Sequence, residues 1–159
     1  MSEYLDPVQK IRAIANYQFG RGAGEALFPL KVEVELSRTT KKIRFIYLDG
    51  DLLATLRPTN GLLALTVSGA KRLLTKFKRP ALRVVVNDEV EEFIAKGSSV
   101  FARHVVDADP MIRPLDETLV VNSKDKLLAV GKAMLSGGEM LAFKRGVAVK
   151  IRKGIEEEG

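Results

Sequence analysis

Two short apolar runs separated by a polar turn constrain this chain more than any other feature. Residues 119–121 and 127–130 are apolar, whereas residues 122–125 between them are Asn, Ser, Lys and Asp, which favour turns. Apolar runs of this length joined by a short polar segment predict a β-hairpin. A last alternating run, residues 147–152, has apolar side chains on one face and mostly basic ones on the other. The second half of the chain is therefore expected to form a small closed β unit.

The first half of the chain changes from a helical to a strand period. Asp6 and Pro7 are residue types that begin a helix, since Asp supplies a cap and Pro fits the first helical position. The glycines of residues 20–24 flank an arginine and could cradle a phosphate, but they follow a helix and lack the Lys-Ser/Thr ending of a nucleotide loop. A tight turn between two helices is the favoured interpretation. Residues 31–67 then alternate with a period of two and predict three or four antiparallel strands.

A basic amphipathic helix is predicted to follow this sheet. Ser68 is expected to cap it, and apolar residues at helical spacing face inward. Residues 71–83 contain six bases and no acid: Lys71, Arg72, Lys76, Lys78, Arg79 and Arg83. A one-sided patch of this kind attracts polyphosphate backbones through counterion release, although a solvated helix face is the alternative.

The positive charge is concentrated in the first half. The formal net charge is +6, and residues 1–80 carry 14 Lys and Arg against 7 Asp and Glu, whereas residues 81–159 carry 12 against 13. Pro80 cannot continue the helix that precedes it, so we expect a domain boundary there. The predicted fold class is α+β, with a small α+β domain at residues 1–80 and a β domain at residues 81–155.

The second domain is expected to begin with a strand at residues 82–86. Asn87 or Asp88 is expected to cap the next helix, and Asp88 with Glu91 approximates a capping box. Gly97 is the expected left-handed stop of that helix. Residues 98–106 are predicted to form one continuous strand. The glycine pair after Ser136 is expected only to break the strand pattern, and the acidic tail at residues 156–158 is expected to fray.

Residues that could carry catalysis or hold a metal are few. The chain has no cysteine, which excludes disulfides, thiolate metal sites and cysteine nucleophiles. His104, the only histidine, could pair with Asp107 or Asp109, but a surface or packing role is favoured. We therefore predict no catalytic residue, no metal site and no cofactor. No apolar run approaches the length of a membrane span, and a cytoplasmic location is expected.

Two short segments of the second domain are candidate phosphate contacts. Residues 97–99 and residues 144–146 combine glycine with small hydroxyl or basic side chains, at edges where backbone amides are expected to be free. The alternative is a simple helix stop and strand start, and the residues alone leave both open. Phe101 and Phe143 are expected to lie in the core and not to stack on bases.

Five stretches of the second domain are similar to the PUA domain, an RNA-binding module named for pseudouridine synthases and archaeosine transglycosylases. They are residues 97–106, 107–114, 120–122, 128–133 and 144–150. The first half resembles the region that precedes the PUA domain in archaeal tRNA-guanine transglycosylase, in residues 17–24, 27–28, 35–40, 42–44, 53–59 and 69–72. The resemblance extends from about Val8 to Arg152, and Ser98, Ser99 and Leu115 depart from residues common in relatives.

The resemblance implies a PUA-type β pseudobarrel behind a small α+β domain. In that family these domains grip tRNA, with the PUA domain at the acceptor stem and CCA end, while a separate barrel domain exchanges a guanine using aspartates and a cysteine-rich zinc site. This chain is too short for that barrel and has no cysteine, so it is not expected to be an enzyme by itself. The expected function is RNA binding, as the tRNA-binding subunit or accessory factor of a separate catalytic transglycosylase subunit. The alternative is a free-standing protein that binds rRNA or ribosomes, with no link to archaeosine.

The predicted RNA contacts fall into two groups. The first group is expected to contact backbone phosphates and consists of Lys71, Arg72, Lys76 and Arg79. The second is expected at the stem end and consists of Gly97, Ser98, Ser99, Arg103, Lys144, Arg145 and Gly146.

Overall fold

A computed structural model describes residues 6–157, which divide into one unit up to Lys76 and a second from Phe77 onward. The first unit packs three helices with a four-stranded antiparallel sheet of order β1-β2-β3-β4. Its elements are α1 (Pro7–Phe19), α2 (Ala23–Leu27), β1 (Glu33–Leu36), β2 (Ile43–Leu48), β3 (Asp51–Leu56), β4 (Leu63–Leu65) and α3 (Val67–Lys76).

The predicted start of α1 and the turn that follows it are confirmed. The Asp6 carboxylate accepts from the amides of Val8 at 2.8 Å and Gln9 at 3.3 Å, and Pro7 occupies the first helical position. The glycine run turns the chain tightly between α1 and α2. A Cβ at Gly24 would lie only 2.4 Å from a backbone oxygen of α1, so a larger residue would push the two helices apart.

The cap of α3 differs from the prediction. The Thr66 hydroxyl, not that of Ser68, accepts from the Gly69 amide at 3.1 Å. The helix begins at Val67, which places Thr66 at the position where a side-chain oxygen satisfies free amides. The apolar face of α3 packs inward as expected, with Ala70 and Leu73 fully buried.

The second unit is a nearly closed six-stranded sheet of order β6-β10-β9-β8-β5-β7, which confirms the predicted pseudobarrel fold. All of its strand pairs are antiparallel except β5 with β8. Its elements are β5 (Arg83–Val86), α4 (Glu91–Ala95), β6 (Val100–Phe101), β7 (Val105–Ala108), β8 (Glu117–Val121), β9 (Leu127–Ala133), α5 (Gly137–Ala142) and β10 (Val147–Gly154).

The hairpin predicted from the two apolar runs is formed by β8 and β9. Val120 lies opposite Ala129, and both are fully buried. Gly131 lies on β9 opposite Ile151 of the neighbouring strand β10, and a Cβ there would lie 2.4 Å from the Lys150 carbonyl oxygen. The close approach of these two strands therefore requires glycine at this position.

The predicted capping box at Asp88 is wrong. Of the two residues expected to supply the cap, Asn87 does so, by accepting from the Glu89 amide at 2.9 Å. The Asp88 carboxylate accepts from the Ser123 amide at 3.0 Å and from its hydroxyl at 2.6 Å. Glu91 accepts from the side-chain amide of Asn122 at 2.9 Å. Long-range partners on the β8–β9 turn thus replace the local contacts that sequence spacing predicts.

Two further expectations for the second unit are corrected. The strand expected at residues 98–106 is broken by a 3-10 turn at Ala102–His104, which divides it into β6 and β7. The segment after Ser136 is the helix α5, because Ser136 and Glu139 form a reciprocal capping box with hydrogen bonds of 3.2 and 2.9 Å. The glycine pair is thus compatible with a helical first turn when a complete cap holds it.

Residues 156 and 157 of the acidic tail are bound to the rest of the second unit and are not frayed. The Glu156 amide donates to the Ala95 carbonyl at 2.8 Å, and the Glu157 carboxylate accepts from the Gly154 amide at 3.0 Å. Glu158 lies outside the described residues. Within residues 6–157, every helix is too short or too polar to cross a lipid bilayer.

Candidate nucleic-acid interface

Three of the predicted phosphate contacts line one pocket in the first unit. The pocket has a volume of about 550 Å³ and lies between α2 and α3, with Ala26 on one side and Thr75 on the other. Its charged lining consists of Lys71, Arg72 and Lys76. The structure therefore gathers these cations in a concavity, where the sequence indicated only a helix face.

Arg72 is held in place by the backbone. Its Nε donates to the Ala26 carbonyl oxygen at 2.8 Å, and its side chain is half-buried. Among the residues that the structure describes, no carboxylate forms an ion pair with Arg72, Lys71 or Lys76. A fixed guanidinium flanked by exposed ammonium groups suits a phosphate ligand.

Two of the remaining bases of the predicted patch, Arg79 and Arg83, make contacts within the second unit. Arg83 is 2% exposed and binds Asp125 through two hydrogen bonds of 3.0 Å, so its assignment to the basic surface is wrong. Arg79 is exposed, but its Nη1 donates to the Ser123 carbonyl at 3.2 Å and its Nε lies 4.0 Å from Asp125. Arg79 is therefore a weaker phosphate candidate than Arg72, since a carboxylate already faces it.

One end of the β6–β10 pair brings together predicted contacts from distant parts of the sequence. Phe101 lies opposite Val147, and the Ala102 amide donates to the Gly146 carbonyl at 2.9 Å. Arg103 follows directly, and the loop of residues 144–146 precedes β10. These residues are exposed: Arg103, Lys144, Arg145 and Gly146.

The segment at residues 97–99 differs from its predicted role. The Gly97 amide donates to the Ile94 carbonyl at 2.9 Å and the Ser98 amide to Phe93 at 3.0 Å, so neither amide is free for a phosphate. A Cβ at Gly97 would meet the Glu157 carboxylate at 2.4 Å. Gly97 is thus the expected helix stop with φ +106°, and a carboxylate lies beside it. The Ser98 side chain is exposed, whereas Ser99 is half-buried.

An exposed aromatic group adjoins the Arg103 loop. Phe101 and Phe143 are each 45% exposed, so their expected core positions are wrong. The Arg103 guanidinium lies 5.5 Å from the Phe101 ring centre, and the His104 ring meets Phe101 edge-on at 6.4 Å. Sequence reasoning missed this cluster, and the nearby signal was an aromatic residue two positions before an arginine.

One base of the face predicted for the last strand, Arg152, forms an ion pair within the sheet. Arg152 on β10 donates from Nη1 to the Glu117 carboxylate at 2.8 Å, and Glu117 is buried on β8. This pair reaches across β9 and stabilises the sheet. Arg152 is therefore better assigned to structure than to RNA contact.

The Asp88 carboxyl group has a shifted pKa. The Ser123 hydroxyl, and then its amide, hydrogen-bond the charged form and lower the pKa of Asp88 below its usual value. Within residues 6–157, no group of three or more His, Asp or Glu residues is arranged to hold a metal ion.

Two protein families match this chain in succession. The family described as "Patch-forming domain C2 of tRNA-guanine transglycosylase" matches residues 9–80, and the family described as "PUA domain" matches residues 82–155. The tRNA-guanine(15) transglycosylase of Methanothermobacter thermautotrophicus is 50% identical over 150 residues, which are 94% of this chain and 23% of that enzyme. The enzyme of Pyrococcus furiosus is 51% identical over 148 residues, 93% of this chain and 25% of that enzyme. The chain thus spans about a quarter of the length of the curated relatives it matches, in their C-terminal region.

Two solved structures share the architecture over nearly their whole lengths. A hypothetical protein of Pyrococcus horikoshii superposes with a TM-score of 0.75 at 28% identity, covering 95% of this chain and 91% of that chain. A conserved PUA domain protein of Thermoplasma acidophilum superposes with a TM-score of 0.64 at 25% identity, covering 94% of this chain and 89% of that chain.

Proposed function

The chain belongs to the patch-forming C2 domain family over residues 9–80 and to the PUA domain family over residues 82–155, and from this premise we propose that it binds tRNA. The observation that carries the proposal is the 50% identity over 150 residues to enzymes named for a guanine of tRNA. That identity includes both units, so both are proposed to contact the same class of ligand.

The charged surfaces of each unit support this proposal. Lys71, Arg72 and Lys76 surround one pocket of the first unit. Arg103, Lys144 and Arg145 are exposed near one end of the β6–β10 pair. Bases that are not paired with acids favour a polyphosphate backbone, since binding releases condensed counterions.

We further propose that the chain acts beside a separate catalytic subunit. The matched region is about a quarter of the relatives' length, and we assign the base exchange of those relatives to a different polypeptide or domain. In this proposal the chain is a non-catalytic subunit or accessory factor of archaeosine-type transglycosylation in the cytoplasm. Its contribution is to increase the affinity for tRNA and to orient it.

A free-standing role is the second candidate. The solved chains from P. horikoshii and T. acidophilum are covered to 91% and 89% by this architecture. These two solved chains therefore consist almost entirely of this architecture. In this alternative the chain binds rRNA or another structured RNA without a transglycosylase partner.

Complementation in vitro tests the proposal. The purified chain is added to a relative's tRNA-guanine(15) transglycosylase from which the matched C-terminal region has been deleted. Incorporation of labelled guanine into a tRNA transcript is measured with and without the chain, and tRNA binding by the chain alone is measured by fluorescence anisotropy. The chain is expected to bind the transcript and to raise incorporation by the truncated enzyme.

The two measurements separate the candidates. Binding to tRNA without any rise in incorporation would favour the free-standing role. A chain that ignores both tRNA and rRNA at low ionic strength would refute both. A control with excess bovine albumin excludes non-specific stabilisation of the truncated enzyme.

A further inference from the structure

The pocket between α2 and α3 has the features of a receptor for one phosphate group and not only those of a charged surface. Its volume of about 550 Å³ lies in the range of small-molecule sites and leaves room for a nucleoside beside a phosphate. The residues that line it are three cations, a threonine and an alanine. The pocket is an open concavity, in which four lining residues belong to α3 and Ala26 of α2 forms the facing side.

Arg72 is pre-positioned at this pocket. The Ala26 carbonyl oxygen accepts from Nε at 2.8 Å, which fixes the plane of the guanidinium. The two terminal amino groups are then available to bind a phosphate in the bidentate manner that arginine favours. Immobilising the fork before binding reduces the entropy that a ligand must overcome.

The glycine turn lies beside the side chain of Lys76, which lines this pocket. A Cβ at Gly22 would lie 2.8 Å from Lys76 Cε and 3.3 Å from its Nζ, so the Lys76 side chain rests directly on this glycine. Gly22 also has φ +91°, a conformation that few other residues adopt. The turn that separates α1 from α2 therefore leaves the space that the Lys76 ammonium occupies.

The local charge balance favours an anionic ligand. Lys71, Arg72 and Lys76 repel one another, and among the described residues none of them has a carboxylate partner. Arg21 is exposed on the neighbouring turn, and the nearest acid along α2, Glu25, is exposed and does not line the pocket. A bound phosphate would offset the mutual repulsion of these three cations.

We propose that the pocket formed by Ala26, Lys71, Arg72, Thr75 and Lys76 binds the phosphate group of a single nucleotide, with Gly22 making room for Lys76. The proposal deepens the proposed RNA-binding function and rests on it for the identity of the nucleotide's source. Two sources share this chemistry: a phosphate within an RNA chain and the phosphate of a free mononucleotide.

The test uses the full chain labelled with ¹⁵N. Amide shifts of Gly22, Ala26 and Thr75 are followed during separate additions of a tRNA transcript, AMP, adenosine and inorganic phosphate. The variants are Arg72→Gln and Lys76→Gln, with Lys10→Gln as a control that removes an exposed charge from α1. Circular dichroism confirms that each variant is folded, and Lys76→Gln keeps the test valid if Arg72→Gln destabilises the unit.

The transcript is expected to shift all three amides, and adenosine is expected to leave them unchanged. Arg72→Gln should abolish these shifts and weaken tRNA binding about tenfold more than Lys10→Gln, as expected for a lost charge-assisted contact. Amide shifts with AMP and not with the transcript would identify a free nucleotide as the ligand. The pocket would then be a phosphate site, but it would not bind RNA. Two results would overturn the proposed phosphate site while leaving the proposed function intact. One is normal tRNA binding with no shift of the pocket amides. The other is an equal tRNA affinity for Arg72→Gln, Lys76→Gln and Lys10→Gln.

Discussion

Arg83 donates to both carboxylate oxygens of Asp125, from Nε to Oδ1 and from Nη2 to Oδ2, each at 3.0 Å. Arg83 is the first residue of β5 and is almost completely buried, whereas Asp125 belongs to the β8–β9 turn. This ion pair therefore holds the β8–β9 turn against β5. A guanidinium buried this deeply depends on its partner, because an unpaired buried charge is strongly unfavourable.

Asp125→Asn should lower the free energy of unfolding of the second unit by about 2 kcal/mol, since it leaves the Arg83 charge without its counterion. Asn tolerates the left-handed backbone at residue 125, where φ is 64°, so the loss reports the charge. Urea denaturation followed by circular dichroism measures the change. Glu156→Gln removes an exposed acid from the same unit and should change stability by less than about 0.5 kcal/mol. Equal effects of the two substitutions would show that the buried pair is not important for stability.

The cap of α3 gives a matched pair of variants. Thr66→Ala should cost the first unit about 1 kcal/mol, because it removes the side-chain oxygen that accepts from the Gly69 amide at 3.1 Å. Ser68→Ala lies two residues further on and should change stability by less than about 0.5 kcal/mol. Thermal unfolding of both variants, compared with the unmodified chain, measures the difference. If Ser68→Ala were the more damaging change, the assignment of the cap to Thr66 would be wrong.

The sequence predicts elements well where a local pattern determines them. The helix start at Asp6, the β8–β9 hairpin and the stop at Gly97 each depend on residues within one turn of the chain, and all are confirmed. The capping box at Asp88 failed because Ser123, 35 residues away, binds that carboxylate instead. No periodicity rule anticipates such a partner, since it exists only once the barrel has closed.

At the candidate site, too, the local features could be predicted from the sequence and the long-range contacts could not. Helical spacing correctly placed Lys71 and Lys76 on the surface of one helix. That Ala26 of α2 borders the same open pocket, and that Arg83 turns inward to Asp125, both depend on tertiary packing. The run of bases in the sequence therefore predicted a larger basic surface than the structure has, because Arg83 is buried. It also gave no sign of the pocket at Lys71, Arg72 and Lys76.

The Asp88 carboxyl provides a prediction about pH. Hydrogen bonds from Ser123 lower its pKa in the folded state, so the stabilisation they give is present above the unfolded-state pKa and is lost as the pH falls through the folded-state value. Ser123→Ala removes the hydroxyl donor and should raise the pKa of Asp88 toward its usual value. The carboxyl ¹³C shift of Asp88, titrated by NMR, measures this. Ser98→Ala, at another exposed serine of the unit, should leave the titration of Asp88 unchanged.

The arginines at 72 and 79 should differ in their effect on RNA binding. Arg72→Gln should reduce the slope of log affinity against log salt by about one, as expected for the loss of one phosphate contact. Arg79→Gln should reduce it by less than half as much, because Arg79 already donates to the Ser123 carbonyl and lies 4.0 Å from Asp125. Salt titrations of tRNA binding by anisotropy give both slopes. Equal slopes for the two variants would favour the uniform patch that the sequence alone indicates.

Phe101 allows a core role and a binding role to be separated by experiment. If it were a core residue, Phe101→Leu would act through stability. Its exposure of 45%, with Arg103 above its ring at 5.5 Å, predicts instead that stability changes by less than about 1 kcal/mol.

The aromatic plane and the guanidinium together offer a stacking surface for an unpaired base, a contact that contributes about 1–3 kcal/mol per base. Phe101→Leu should therefore weaken binding to an RNA hairpin with an unpaired 3′ end by about tenfold or more, and leave binding to its blunt-ended counterpart unchanged. Anisotropy with the two hairpins measures this, and Phe93→Leu, at another exposed phenylalanine of the unit, is the control. An equal loss of affinity for both hairpins would assign Phe101 to general packing, because only stacking distinguishes the unpaired end.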